Sequence, residues 1–253
     1  MNDEPSSPTS PTIVLVHGAF AESSSWSGVI PILQQRGYTV IAAANPLRGL
    51  QEDAAYLRRL VDSIPGPVIL AGHSYGGSVM SEAAEGAGNV AALVYIASFS
   101  LEVGESTAEL AAKYPGARLG EALQPVPVTL PNGEEGSDLY IRQDQFHWVF
   151  AADVPEDVAT LMAATQRPIT SAALEARATK AAWKTIPSWT MVTLQDLAIP
   201  ADSMRFMAER AGSTTVEIDA SHAVTVSQPE AVAELIDTAA RTTVLVSSGT
   251  EAA

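Results

Sequence analysis

At 253 residues, 47% of them apolar and only 17% charged, the chain is long enough and apolar enough to bury one large core. Its 29 acidic against 14 basic residues give a formal charge of −15, which argues against nucleic acid and anionic membrane surfaces as partners, because their phosphates would be repelled. With no cysteine, disulfides, thiol nucleophiles and thiolate metal sites are excluded, and the four histidines (His17, His73, His147, His222) are too scattered for a zinc helix, so no metal or other cofactor is expected.

Residues 1–11 are rich in Ser, Pro and acidic side chains and lack a basic-then-apolar run, so they read as a disordered leader rather than a secretory signal. No apolar run approaches the roughly 20 residues that span a bilayer, and a cytoplasmic protein is the expectation. Residues 12–16 (T-I-V-L-V) are β-branched and apolar, fit for a strand buried on both faces, and lead into His17-Gly18-Ala19-Phe20. The pattern predicts a helix over 25–36 closed by Gly37, a strand over 38–43, and a helix over 51–64 whose Ala54, Leu57, Leu60, Val61 and Ile64 share one face. A strand over 67–71 and a helix over 78–84 flank the stretch Gly72-His73-Ser74-Tyr75-Gly76-Gly77, and residues 90–96 form another buried strand.

From about residue 100 to 187 the pattern breaks. Prolines 115, 125, 127, 131, 155 and 168 interrupt short helical pieces and strand-like runs are scarce, as expected of a helical cap inserted between two strands. Within it, residues 138–150 hold Tyr140, Phe146, His147, Trp148 and Phe150. Most of this aromatic surface reads as the cap's own small core, with Phe146, His147 and Trp148 the candidates to line an apolar pocket. The sheet resumes over 188–194, followed by Gln195-Asp196, a helix over 201–211, a strand over 214–218 and then Asp219-Ala220-Ser221-His222. The last helix begins near Pro229 with Val232, Leu235 and Ile236 on one face, and residues 243–253 read as a flexible tail. Alternating strands and helices of these lengths predict a parallel sheet with right-handed crossovers, in one domain over 12–242.

Strand, G-x-S-x-G, helix is the context of a nucleophile elbow. Gly72 and Gly76 let strand and helix approach, and the turn presents the Ser74 hydroxyl beside the N–H of Tyr75 at a helix N-terminus. A serine needs a base and something to hold that base. In an open α/β sheet such groups gather at the carboxyl ends of strands, where Ser74, Asp196 and His222 all fall, in the order Ser, Asp, His.

With V-L-V-H-G-A near the start, G-H-S-Y-G-G at the elbow, the D-L-A-I-P turn and A-S-H-A before the last helix, the chain resembles the α/β-hydrolases from about residue 12 to 242. More narrowly it resembles the branch that holds plant methylesterases, plant hydroxynitrile lyases and small bacterial esterases. The resemblance implies the α/β-hydrolase fold, a mostly parallel sheet flanked by helices, and a Ser74–His222–Asp196 triad. Asp196 stands directly after its strand, where the family carries the triad acid; Asp202 reads as a helix N-terminal acid, and Asp219 ranks third. The oxyanion donors implied are the N–H groups of Tyr75 and Ala19, with Phe20 the alternative to Ala19. Phe20 and Tyr75 join Phe146, His147 and Trp148 as substrate-binding candidates, whereas His17 and His73 are assigned structural places beside the site.

The function implied is that of a serine carboxylesterase acting on a small, largely apolar ester through an acyl-enzyme. A cofactor-free lyase on the same triad is the first alternative. Plant lyases of one group carry threonine after the first histidine and lysine after the catalytic one, where this chain has Gly18 and Ala223; in another group an oxyanion-loop asparagine is not matched by Ala19-Phe20. Haloalkane dehalogenase and epoxide hydrolase chemistry need a carboxylate nucleophile, which Ser74 is not. A non-turnover small-molecule receptor is the second alternative, and a homodimer paired through the cap surface is the expected assembly if one forms.

Overall fold

The computed structural model describes residues 10–129, 133 and 135–250. Its strands are the apolar runs of the sequence: β1 (Thr12–Val16), β2 (Thr39–Ala43), β3 (Val68–Ser74) and β4 (Val90–Ser98), with β8 (Ser188–Thr193) and β9 (Thr214–Ile218) completing the sheet after the cap. Among the described residues these six strands form one all-parallel sheet in the order β2-β1-β3-β4-β8-β9. Every residue of β3 and β8 is buried, so the middle of the sheet is covered on both faces, which is why β3 begins as a continuous apolar run rather than an alternating one, while β8 buries Ser188, Thr190 and Thr193 among its apolar residues. The core is one contiguous cluster that runs from the sheet into the cap.

The covering helices are α1 (Val29–Gln35), α2 (Leu50–Asp62) and α3 (Tyr75–Ala84), with α9 (Ala201–Ala211), α10 (Val224–Ser227) and α11 (Pro229–Thr250) later in the chain. The single helix predicted over 25–36 divides into a 3₁₀ turn, Ser23–Trp26, and the shorter α1. Gly28 separates the two and lies against Pro229, where a Cβ would come within 3.0 Å of the proline ring. Gly37 does end that helix, with φ +88°. The tail expected from residue 243 is helical through Thr250, a continuation of α11; residues 251–253 lie outside the described residues. So does the leader from 1 to 9, while Pro11 is already buried.

Between β4 and β8 the cap holds α4 (Thr107–Ala111), α5 (Leu119–Ala122), β5 (Leu123–Thr129), β6 (Glu135–Ile141), α6 (Gln143–Phe150), α7 (Glu156–Thr165), β7 (Ile169–Thr170) and α8 (Ser171–Glu175). It is not purely helical, because β5, β6 and β7 form an antiparallel sheet. The prolines of β5 conceal that strand. Pro125 and Pro127 are two residues apart on an edge strand, so both can sit where a missing N–H would have faced away from β6.

Candidate active site

Ser74 closes β3 and caps α3 with φ 52° and ψ −128°, a conformation that costs a non-glycine residue on the order of 1–3 kcal/mol and clusters at functional turns. The neighbours make it possible. A Cβ on Gly76 would stand 2.3 Å from the Val16 carbonyl oxygen, and one on Gly72 2.7 Å from the Gly77 nitrogen. The Ser98 hydroxyl donates to the Ser74 carbonyl at 2.6 Å, locking the turn from the adjacent strand. Ser74 itself keeps 8% of its surface open.

Two other loops from the same edge of the sheet meet this serine. His222, four residues past β9, places Nε2 2.9 Å from Ser74 Oγ, and its Nδ1–H donates to Asp196 Oδ2 at 2.7 Å. A carboxylate facing Nδ1 fixes the tautomer that leaves Nε2 free to accept the serine proton. Asp196, three residues past β8, is held in turn. Its Oδ1 accepts the N–H groups of Ala198 and Ile199, both at 2.8 Å, and its Oδ2 accepts the Thr193 hydroxyl at 2.8 Å. Burial alone would raise its pKa, but the charge and hydrogen bond of His222 and these donors hold it below the ordinary carboxylate value. The other acids stand elsewhere: Asp202 pairs with Arg205 on the surface, and Asp219 accepts from Gln195.

The His222 ring lies between two others. His73 approaches at 4.8 Å, and Phe150 meets it edge-on at 4.8 Å. The backbone is held at the same points, His73 Nε2–H donating to the His222 carbonyl at 2.8 Å and Ala223 N–H to the Phe150 carbonyl at 2.9 Å. The Ser221 hydroxyl adds bonds to Asp153 and to Phe150. Burial, reinforced by His222, pushes the His73 pKa down to about 3, so it stays neutral beside the His222 ring.

On the other side lies the loop after β1. His17 donates through Nδ1–H to the Gly18 carbonyl at 2.9 Å and accepts the Asn45 N–H on Nε2 at 3.0 Å, while Asn45 Nδ2 donates back to the His17 carbonyl. Burial lowers the His17 pKa to about 4, so this ring is also a neutral brace. Gly18 packs directly on Ser74, a Cβ there falling 2.6 Å from Ser74 Cβ. The two candidate donors of this loop differ. Phe20 N–H donates to the Arg167 carbonyl of the cap at 3.0 Å, whereas among the described residues nothing accepts the N–H of Ala19. Tyr75 is the first residue of α3, so its N–H has no intrahelical partner either.

The cap candidates divide by helical spacing. Phe146, Val149 and Phe150 share the inward side of α6, with Phe146 and Phe150 5.0 Å apart. Trp148, expected to line the pocket, faces the opposite way and is 48% exposed; His147, on the flank, bonds the Val154 carbonyl. Phe150, not singled out as a site residue from sequence, is the ring that touches His222. Its spacing of i+4 from Phe146 is the signal that could have found it. The Tyr75 side chain is buried and donates to Asp53, so it does not face a ligand. Phe20 does line a groove of about 460 Å³, with Val158, Leu161 and Met162 on its apolar part and Glu22, Ser24 and Gln166 among its polar lining, and its ring meets Phe150 edge-on at 6.4 Å.

The alpha/beta hydrolase family model matches residues 13–235. A protein described as alpha/beta hydrolase nvfD, from Aspergillus novofumigatus, is 28% identical over 254 residues, covering 91% of this chain and 96% of its own. A pyrethroid hydrolase from Sphingobium wenxiniae is 28% identical over 258 residues, covering 88% of this chain and 85% of its own. Among solved structures, that of polyneuridine aldehyde esterase superposes with a TM-score of 0.77 at 18% identity, covering 91% of this chain and 99% of that one.

Proposed function

The chain belongs to the alpha/beta hydrolase family, and we propose that it is a serine carboxylesterase acting on small, largely apolar esters. The observation that carries the reading is the unbroken relay from Ser74 Oγ to His222 Nε2 and from His222 Nδ1 to Asp196. In that geometry His222 takes the serine proton as Ser74 attacks the ester carbonyl. Asp196 steadies the imidazolium, and the N–H groups of Tyr75 and Ala19 take the negative charge of the tetrahedral oxygen. His222 then gives its proton to the departing alkoxide, leaving the acyl group on Ser74 Oγ. Water, deprotonated by the same imidazole, releases the acid. Base, nucleophile and oxyanion donors all come from the chain, so the chemistry asks for no metal or cofactor. Ala19 is preferred to Phe20 as the second donor because the Phe20 N–H is already engaged.

The apolar part of the groove at Phe20, formed by Val158, Leu161, Met162 and Val226, supports a substrate with a mainly hydrocarbon alcohol or acyl group, and the polar lining from Glu22 to Ser27 leaves room for a polar substituent. Relatives named as a pyrethroid hydrolase and a polyneuridine aldehyde esterase agree with ester hydrolysis in general. Among the described residues no helix is long and apolar enough to cross a membrane; the reading adds a cytoplasmic setting and leaves a cap-mediated homodimer as an expectation. The test is hydrolysis of short-chain aryl esters by wild type, Ser74→Ala and His222→Ala. Wild type is expected to turn over, and each variant to lose roughly 10³-fold or more in kcat while keeping its circular dichroism. A folded wild type without turnover on any ester, but cleaving cyanohydrins, would replace the esterase with the lyase.

A further inference from the structure

Two buried groups beside the site have no part in the proton relay. The Tyr75 hydroxyl donates to Asp53 Oδ2 at 2.9 Å, with both residues about 1% exposed. Asp53 lies in the first turn of α2, where it also accepts the N–H groups of Arg48 at 3.1 Å and Gly49 at 3.4 Å. Among the described residues no cation pairs with it. The Arg48 guanidinium turns away to the cap instead, donating to Asp138 of β6 at 2.6 Å and to the Pro168 carbonyl at 2.7 Å. The same turn is held from the cap side, since Thr170 donates its N–H to the Leu47 carbonyl at 3.2 Å and its hydroxyl to the Arg48 carbonyl at 3.0 Å. One residue before Pro168, the Arg167 carbonyl takes the Phe20 N–H and the Arg167 guanidinium pairs with Glu22 at 3.0 Å.

One short cap segment, residues 167–170, therefore grips both halves of the oxyanion hole. It holds the Ala19 loop directly, and it holds Tyr75 through the Arg48 turn and Asp53. Burial raises the pKa of Asp53, opposed by the Arg48, Tyr75 and Gly49 bonds and by the Arg48 charge, which makes no direct ion pair with it. Such a buried acid is a poor device for stability alone, because apolar packing of the same volume carries no desolvation cost. What it supplies is direction. A charge-assisted bond to a phenol selects one rotamer, and with it the placing of the backbone that carries the rotamer. Placing matters here, because an oxyanion donor acts only within about 2.7–3.1 Å of the developing charge.

We infer that Asp53 is a positioning residue for the oxyanion hole, fixing the Tyr75 donor and, through Arg48 and residues 167–170, coupling both donors to the seating of the cap. The inference rests on the serine esterase reading. Its test compares wild type with Asp53→Asn, Tyr75→Phe and Arg48→Met. The readouts are kcat and KM on an aryl ester, the rate of Ser74 labelling by a fluorophosphonate, and affinity for a trifluoromethyl ketone against its methyl ketone counterpart. Arg48 stands at the half-exposed end of the chain of contacts, so its variant keeps the test open if either buried substitution fails to fold. Expected is a loss of roughly 10- to 100-fold in kcat, less than deletion of a donor outright, with KM within a factor of about two to three and labelling slowed in parallel. The ratio of trifluoromethyl to methyl ketone affinity should fall with kcat, because only the former presents a tetrahedral oxyanion. Variants that label, turn over and bind the trifluoromethyl ketone like wild type, while melting earlier, would reduce Asp53 to a structural brace. Wild type that neither labels nor hydrolyses would instead overturn the esterase reading, and the inference with it.

Discussion

Gly18 shows how little room Ser74, the proposed nucleophile, has. It is the residue after His17 in the loop that leaves β1, and any side chain there meets Ser74 Cβ at 2.6 Å and the His73 carbonyl oxygen at 2.9 Å. Neither neighbour is the free end of a flexible chain. Gly18→Ala must therefore move either the oxyanion loop or the serine, and misplacing reacting groups by about 1 Å costs on the order of 10²-fold in rate. We expect Gly18→Ala to fold and to lose between roughly 10- and 100-fold in kcat, with KM changed far less. Steady-state kinetics beside a thermal melt would decide it. Activity within a factor of two of wild type would mean that the loop gives way without consequence, and that the close approach is not functional.

Elements explain what the sequence reveals and what it hides. β1, β3 and β4 are legible because burial on both faces leaves them mostly Val, Ile, Leu and Ala, whereas β8 (S-W-T-M-V-T) and the exposed β9 (T-T-V-E-I) are read from β-branched content and position. The proposed triad is legible because each member stands at or just past the end of a strand. The cap sheet is not, since β5 carries two prolines and β6 mixes Glu, Ser and Asp with its apolar residues. Trp148 misleads for a different reason: aromatic content marks α6 as interesting, but only the 146, 149, 150 spacing says which side faces in. Charged residues that work in the interior are harder still, because by type they look like surface. Asp53 is one and Asp237 another. In the last helix Asp237 is buried, accepting from Tyr38 Oη at 2.6 Å, from Arg36 at 3.0 Å and from Arg241 at 2.9 Å, which ties α11 to the end of α1 and the start of β2. Burial, together with Asp237, lifts the Tyr38 pKa to about 12. Asp237→Ala strands the phenol and takes one partner from Arg36, which keeps Glu234 at 2.9 Å, and from the exposed Arg241, a loss we put at roughly 1–3 kcal/mol. Urea unfolding should register it as a lower midpoint at unchanged slope, while kcat below the transition stays at the wild-type value; an unchanged midpoint would show that water satisfies the cluster equally well.

At the scale of the whole molecule, mild acid should destabilise this fold through two neutral histidines rather than through the net charge of −15. Between pH 6.5 and 5 the carboxylates of an unfolded chain remain largely ionised, so the overall charge changes little there. His17 and His73 behave differently. Their folded pKa values, about 4 and about 3, lie below the ordinary histidine value of 6.5, burial being the main cause in both. A pKa depressed by folding means that the unfolded chain binds the proton first, so stability falls as the pH drops below 6.5 and goes on falling until the folded rings titrate. Each ring contributes a slope of about 1.4 kcal/mol per pH unit, or about 2.7 for the pair around pH 5, which is a large share of the roughly 5–15 kcal/mol that holds a domain folded. Below about pH 4.5 the carboxylates held low in the fold, Asp196, Glu105 and Asp237, add to the same trend. Equilibrium urea unfolding at pH 7, 6, 5.5 and 5 would measure the slope, and the imidazole C2–H resonances would show whether two rings fail to titrate above pH 5. A flat stability curve with His17 and His73 titrating near 6.5 would mean that water reaches these two rings, and that the loop after β1 and the elbow are looser than their hydrogen bonds suggest.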